Sequence, residues 1–144
     1  MRPENTMKVT FLSRSANESF ARVAVAAFLA QLDPTLDELA DIKTAVSEAV
    51  TNCIVHGYKN DIGRIYITVK IFEDNRVSIT VKDTGCGIDD IRKAMEPMFT
   101  TSENGERAGL GFTVMQSFTD RLKVRSKVGY GTTVVMEKRL KEKR

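Results

Sequence analysis

The sequence has few of the residues that cross-link or anchor small proteins. Its 144 residues include two cysteines, three prolines, one histidine and no tryptophan. Cys53 and Cys86 lie far apart with no second soft ligand nearby, which disfavours a disulfide framework and a zinc site. No apolar run approaches the ~20 residues that span a bilayer. The sequence therefore indicates neither a membrane protein nor a disulfide-rich secreted one, and a cytoplasmic location is expected.

The sequence also lacks a strong excess of charge of one sign. Lys and Arg together number 22 and Asp and Glu 19, which gives a net charge of +3. Nucleic-acid binding usually needs basic residues clustered in a stripe, and no predicted helix carries one. With 42% hydrophobic residues, the chain can bury one core. We expect a single domain over residues 1–144, without linker or repeat, that binds no nucleic acid.

Hydrophobic spacing predicts the order strand, two helices, two strands, loop, helix, two strands. Alternation of apolar and polar residues predicts strands over residues 8–12, 63–72, 76–83, 122–127 and 132–138. Helical spacing predicts helices that begin near residues 15, 35 and 109. Helices packed on one face of a mainly antiparallel sheet give an α+β fold.

The start and the buried face of the first predicted helix can be assigned from the sequence. Ser15 and Glu18 have the spacing of a capping box. The apolar residues that follow at helical spacing are Phe20, Val23, Ala24, Ala27 and Phe28. In the second helix, from Thr35 to about Val55, the predicted apolar stripe consists of Leu39, Ile42, Val46, Ala49, Val50 and Cys53.

Glu48 and Asn52 form the first candidate functional pair. They are four residues apart on a predicted helix, so they share one face, next to the apolar stripe. A carboxylate there can act as a general base, and an amide oxygen is a hard ligand that suits Mg²⁺. A solvated pair on an exposed face is the alternative.

The second candidate is a glycine-rich turn directly after a predicted strand. It begins at Asp83 and contains Gly85 and Gly87. Glycine lets the backbone turn sharply and approach a ligand closely, and the aspartate can accept a hydrogen bond from a base amino group. A plain strand-to-helix turn is the alternative.

The third candidate is the start of the last helix, where Gly109, Leu110 and Gly111 follow a long loop. A glycine-rich helix start offers free N–H groups to an anion. A dinucleotide fingerprint is excluded, because Val114 stands at the third glycine position and no strand precedes the motif. A Walker loop is excluded because no glycine is followed by Lys and then Ser or Thr.

Taken in this order, the three motifs resemble the N box and the two glycine boxes of the GHKL ATPase and kinase superfamily. Gly131 and Thr132 resemble its further glycine–threonine element, so the resemblance covers residues 8–138. Residues 47–52, 56–58 and 129–133 are similar to the bacterial anti-sigma-factor serine kinases, to the sporulation branch more than to the stress-response branch. The resemblance implies a Bergerat-type two-layer sandwich with a mixed, mainly antiparallel sheet, and binding of ATP or ADP with Mg²⁺.

The resemblance also implies roles for single residues. Glu48 would be the general base for an incoming serine hydroxyl, and Asn52 would coordinate Mg²⁺. Asp83 would receive the adenine amino group, with Thr132 close to the base. The remaining implied contacts are those of Gly85 and Gly87 with the adenine edge, of Gly109, Leu110 and Gly111 with the phosphates, and of Arg107 with the terminal phosphate.

The implied partners are a sigma factor, an anti-anti-sigma protein phosphorylated on serine, and a second copy of the chain. Arg14, Glu18 and Arg22 form a polar edge that suits docking of an acidic partner or is simply solvated. A histidine-kinase fragment and a pure nucleotide-binding module stay open as alternatives. His56 is the single histidine, and a structural role for it is favoured over a role as phosphoacceptor.

Overall fold

Five antiparallel strands form one sheet in the order β1-β2-β3-β5-β4. The structure is a computed structural model that describes residues 2–91 and 111–141. The strands are β1 (Asn5–Leu12), β2 (Arg64–Ile71), β3 (Arg76–Asp83), β4 (Arg121–Lys127) and β5 (Gly131–Arg139). All four strand pairings in these ranges are antiparallel, so the parallel pairing that a mixed sheet implies does not occur there.

Within the described ranges, three helices pack on one face of this sheet. They are α1 (Ala16–Leu29), α2 (Leu36–Asn52) and α3 (Phe112–Phe118). A 3-10 turn (Ala30–Leu32) follows α1, a π-helical turn (Cys53–Gly57) follows α2, and a turn at Glu73–Asn75 joins β2 to β3. The predicted α+β class is confirmed. A single domain over residues 1–144 stays a prediction.

The core lies between the sheet and the helices, as the alternating pattern predicted. Every second residue of β2 and β3 is buried: Ile65, Ile67, Val69, Ile71, Val77, Ile79 and Val81. The stripe of α2 is buried at Ile42, Val46, Ala49, Val50 and Cys53. Within the described ranges, no helix has both the length and the apolar character to cross a bilayer.

The predicted buried face of α1 is partly wrong. Phe20 and Val23 are 50% and 57% exposed, and the buried positions are Ala21, Val25, Ala26 and Leu29. Ala21, Val25 and Leu29 follow one another at intervals of four, so they line the side of α1 that packs on α2. Because both sides of α1 are apolar, the sequence pattern did not distinguish them. Phe28 does pack against the core.

The capping box lies at α2, not at α1. Ser15 makes no side-chain cap at α1. The Thr35 hydroxyl instead accepts from the Glu38 N–H at 3.1 Å, and the Glu38 carboxylate accepts from the Thr35 N–H at 2.9 Å. Glu18 accepts from the Ser47 hydroxyl and forms an ion pair with Arg22 at 3.8 Å. A partner on another helix therefore replaces the local cap.

Strand β1 begins at Asn5, three residues before the predicted start. Asn5 and Thr6 are polar, but Asn5 pairs with Ile71 and the pairing continues to Leu12 opposite Arg64. Backbone pairing along the whole of β2 thus extends β1 beyond the alternating pattern.

We expect Thr35→Ala to lower the free energy of unfolding by about 1 kcal/mol, because it removes the hydroxyl that caps α2. Ser15→Ala is the matched control, and it should change stability by less than ~0.5 kcal/mol, since Ser15 caps nothing. Urea unfolding of the two variants measures the difference. Equal losses in both variants would contradict the assignment of the cap.

Candidate nucleotide-binding site

A cavity of about 380 Å³ lies where the end of α2, the π-helical turn, the ends of β3 and β5 and the start of α3 meet. This size is within the range of small-molecule sites. Its lining combines apolar residues with a few polar ones: Ala49, Val81, Phe112 and Val134, and Asn52, Asp83 and Thr132. Four of the predicted site residues, from segments distant in sequence, therefore meet in one cavity: Asn52, Asp83, Gly87 and Thr132.

Asp83 is the buried carboxylate of this cavity. Its residue is 4% exposed, and Oδ1 accepts from the Gly85 N–H at 2.9 Å. Burial raises the pKa of Asp83, although hydrogen bonds from Gly85, Cys53 and Thr132 oppose the shift. Gly57 packs against the carboxyl group, since a Cβ at Gly57 would lie 2.9 Å from Oδ2. An acceptor held this way in an apolar slot suits the amino group of a base.

Cys53 is a buried donor to this carboxylate. Burial, and then the charge of Asp83, raise the pKa of the Cys53 thiol well above its usual range. The thiol therefore stays protonated and donates to Asp83. From its place in the apolar stripe, Cys53 was predicted only as a core residue.

Asn52 presents a buried amide without a hydrogen-bond partner in the described residues. The residue is 9% exposed, and neither Nδ2 nor Oδ1 is satisfied there. An unsatisfied buried polar group costs roughly 1–3 kcal/mol. Since Asn52 lines the cavity, a bound ligand is the natural partner for it.

This amide fits the implied Mg²⁺. Its Oδ1 is a hard oxygen ligand, and Mg²⁺ usually takes one or two protein ligands together with water and phosphate oxygens. The described residues contain no cluster of three or more His, Cys, Asp or Glu side chains poised for a metal. The residues present therefore fit a metal held chiefly through a nucleotide.

Glu48 lies one helical turn before Asn52, beside the start of α3. It does not line the cavity. A Cβ at Gly111 would lie 2.4 Å from Oε2 of Glu48, so a larger residue there would displace this carboxylate. Gly111 has φ +76°, which also favours glycine. Of the predicted pair on α2, Asn52 thus lies in the cavity and Glu48 lies beside it.

The two glycines of the β3 turn have different surroundings. Gly87 lines the cavity with φ +79°. Gly85 does not line it: a Cβ there would lie 2.1 Å from the Gly57 carbonyl oxygen. The Cys86 N–H donates to the same carbonyl at 2.8 Å. Gly85 therefore lets the loop pack on the π-helical turn. Its predicted contact with adenine stays a prediction.

Two positioning residues were missed by the sequence analysis. The Tyr58 hydroxyl accepts from the Thr84 N–H at 2.9 Å and donates to the Arg64 carbonyl. The Ser126 hydroxyl accepts from the Ile88 N–H at 2.7 Å and lies 2.8 Å from Oγ1 of Thr132. Ser126 could have been identified from the sequence, because it is a polar residue at an inward position of β4.

The remaining predicted residues have mixed outcomes. Thr132 lines the cavity, as does His56. Arg107, Gly109 and Leu110 lie outside the described residues. The predicted phosphate contacts of these three residues stay predictions.

The open antiparallel sheet, the helices on one face and the cavity at the end of α2 define a GHKL-type ATPase fold. In sequence, the profile of the histidine kinase-like ATPase domain matches residues 11–138. Proteins named anti-sigma F factor are 63% identical in Thermoanaerobacter sp. (strain X514), over 93% of both chains, and 61% identical in Caldanaerobacter subterraneus subsp. tengcongensis, over 96% of both. The chain belongs to the histidine kinase-like ATPase family, in the group of the anti-sigma F factors.

Solved structures show the same fold at low sequence identity. The RsbU and RsbW domains of a Mycobacterium tuberculosis protein align with a TM-score of 0.68 and 21% identity, over 96% of this chain and 33% of that one. The chain thus spans about a third of that protein. The catalytic domain of the histidine kinase ThkA aligns with a TM-score of 0.58 and 18% identity, over 93% and 96% of the two chains.

We expect Gly85→Ala to weaken binding of Mg-ATP at least ~tenfold, a change of about 1.4 kcal/mol. The added methyl group must separate the loop from Gly57 and so displace Asp83. Gly129→Ala is the control for backbone strain alone, because Gly129 has φ +85° but a Cβ there meets nothing within 4 Å; it should lower stability and leave the affinity for Mg-ATP near the native value. Calorimetric titration measures both affinities. Equal affinities in the two variants would show that the contact with Gly57 does not position the site.

We expect Asp83→Asn to change how stability depends on pH. A raised pKa means that the folded chain binds a proton more tightly than the unfolded chain, so the stability of the native sequence falls as pH rises from about 4 through the raised pKa. The variant lacks this contribution. Its stability should therefore improve relative to the native sequence as pH rises from about 4 through the raised pKa, by at most ~1.4 kcal/mol per pH unit. Urea unfolding at several pH values tests this, and a difference that does not vary with pH would contradict it.

Proposed function

We propose that the chain is an anti-sigma factor and a protein serine kinase. It binds and inhibits the sporulation sigma factor sigma F, and it uses Mg-ATP to phosphorylate a serine of an anti-anti-sigma protein, which is thereby inactivated. The observation that carries this proposal is the cavity that joins the unsatisfied amide of Asn52 to the buried carboxylate of Asp83. Relatives that carry the name anti-sigma F factor support the choice of partner.

Adenine recognition falls to Asp83 and its neighbours. The carboxylate accepts a hydrogen bond from the amino group of the base. Thr132 adds a hydroxyl that Ser126 orients. Ala49, Val81 and Val134 border the ring with apolar surface. The Asp83 acceptor between these apolar walls favours adenine, because guanine has a carbonyl oxygen at the position where adenine carries its amino group.

Phosphoryl transfer depends on positioning and on neutralising the phosphate oxygens. Mg²⁺ would supply Lewis-acid charge there, and Asn52 would hold it through Oδ1. Glu48 accepts the proton of the attacking serine hydroxyl. Gly111, with Gly109 and Leu110 before it, offers amides to the phosphates, and Arg107 neutralises the terminal one.

Glu48 is well situated for the role of base. It lies beside Asn52 on α2 and against Gly111 at the start of α3. A serine of a partner that approaches the cavity from this border would come within reach of the Glu48 carboxylate. A positioned base adds ~10² to 10⁴ in rate.

Partner docking is proposed for the exposed side of α1. Phe20 and Val23 are exposed there, next to the ion pair between Glu18 and Arg22. An apolar patch with a charged rim is typical of protein interfaces. We assign it to the macromolecular partners, and we propose a homodimer as the working unit. Because sigma factors act in the cytoplasm, the proposed function implies that location.

Three alternative functions remain, and a different experimental result would identify each of them. A catalytic fragment of a histidine kinase would produce acid-labile phosphohistidine on a histidine of another segment or partner. An anti-sigma B kinase would prefer the stress-response sigma factor in a direct competition. A pure binding module would bind nucleotide without transferring phosphate.

The deciding experiment combines the chain with labelled ATP, Mg²⁺ and the product of the gene next to its own, tested as the anti-anti-sigma protein. We expect stable phosphoserine on that protein. Glu48→Gln should keep nucleotide affinity and lose at least ~100-fold in transfer rate, because only the base is removed.

Glu73→Gln is the control, since it makes the same chemical change in the turn between β2 and β3. It should transfer phosphate at the native rate. Native transfer by Glu48→Gln would remove Glu48 from the role of base, and absence of any phosphorylated serine would remove the kinase proposal.

A further inference from the structure

The face of the sheet that is turned away from the helices is strongly basic. On β4, the outward positions are all basic, at Arg121, Lys123, Arg125 and Lys127. The neighbouring strands add further basic residues to the same face: Lys8, Arg64, Lys70, Arg76, Lys82 and Arg139. Among the strand residues described on this face, the one acidic side chain is Glu137.

Most of this charge is not neutralised within the described part of the chain. Glu137 pairs with Arg76 at 3.5 Å and with Arg121 at 3.8 Å. Lys127 lies over the ring of Tyr130, at 4.4 Å from its centroid. Lys123 and Arg125, in the middle of β4, form no ion pair with any described residue, and both are exposed. The centre of β4 is therefore the part of the face with the most unbalanced charge.

Strand β4 is also an edge of the sheet. Its outer backbone groups have no strand beside them within the described ranges, so an extended chain could add there through main-chain hydrogen bonds. Side chains of an added strand that point to the basic face would stand directly opposite those of β4. In an extended strand, every second side chain lies about 6.8 Å from the last, and the basic residues of β4 have this same spacing.

The inward side of β4 determines which residue type would fit between the acidic positions of an added strand. Leu122 and Val124 point toward the helices and pack against the core while staying partly exposed. An added strand would place its alternate residues beside them. We propose that the outer edge of β4 is a docking site for an extended segment of a partner protein in which acidic residues alternate with apolar ones.

Protection of the edge against aggregation does not account for the whole basic face. Lysine on an edge strand does discourage unwanted pairing. Lys70 and Lys82, however, lie on β2 and β3, which are interior strands. A single-stranded nucleic acid fits less well, because such partners stack on several aromatic side chains. Tyr66 is the aromatic residue that the described strands present on this face.

A labelled peptide of the sequence Glu-Val-Glu-Val-Glu-Val-Glu tests this docking site on the full chain. Fluorescence anisotropy should show binding that weakens as salt increases. A peptide of the same composition in block order, with four Glu before three Val, should bind at least ~tenfold more weakly, because alternate positions no longer match β4. Hydrogen exchange should show slower exchange of β4 amides with the alternating peptide.

Two double variants locate the contact. Lys123→Glu with Arg125→Glu should weaken binding of the alternating peptide at least ~tenfold. Lys8→Glu with Lys70→Glu makes the same change of charge on the far side of the same face, and it should change affinity less than ~threefold. Thermal unfolding checks that both variants are folded.

Three results would overturn the proposal. These are no binding of the alternating peptide at low salt, equal losses in the two double variants, and tighter binding of a single-stranded oligodeoxynucleotide than of the peptide. The first would leave β4 as a protected edge. The second and third would make the face a general polyanion surface. None of these results bears on the proposed kinase activity, which is measured separately.

Discussion

The contact between the π-helical turn and the loop after β3 is the interaction on which the site depends. The Gly57 carbonyl accepts from the Cys86 N–H at 2.8 Å, and Gly57 itself packs against the Asp83 carboxyl group. This contact joins the helical layer to the sheet at the cavity. Asn52 enters from one side of it and Asp83 from the other. Without this join, two polar residues of distant segments would not share a ligand.

Much of the fold was accessible from the sequence because the core is made of periodic strands. Ile65 to Ile71 alternates with polar residues, and burial on one face follows directly from that pattern. The site was accessible because its glycines carry specific steric demands. Gly87 and Gly111 adopt positive φ. Because positive φ favours glycine, such positions can be recognised in the sequence.

The errors arose where a contact from elsewhere in the chain replaced a local one. Ser47 of α2 bonds to Glu18 and so removes it from the capping box that its spacing suggests. Phe20 meets the ring of Phe11 on β1, with centroids 6.1 Å apart, instead of entering the core. The role of Gly85 depends on a carbonyl that lies in another segment. Spacing within one segment does not contain these contacts.

Glu38 has an effect beyond the start of its own helix. Its carboxylate accepts from the backbone N–H of Thr35 at 2.9 Å and from that of Lys141 at 2.8 Å. Burial acts to raise its pKa, but these hydrogen bonds outweigh burial and the pKa of Glu38 is lowered. The bonds are present above the ordinary pKa of a glutamate and are lost as pH falls through the lowered one. Acid would thus loosen the N-terminal end of α2 and the chain that follows β5 together, at one protonation.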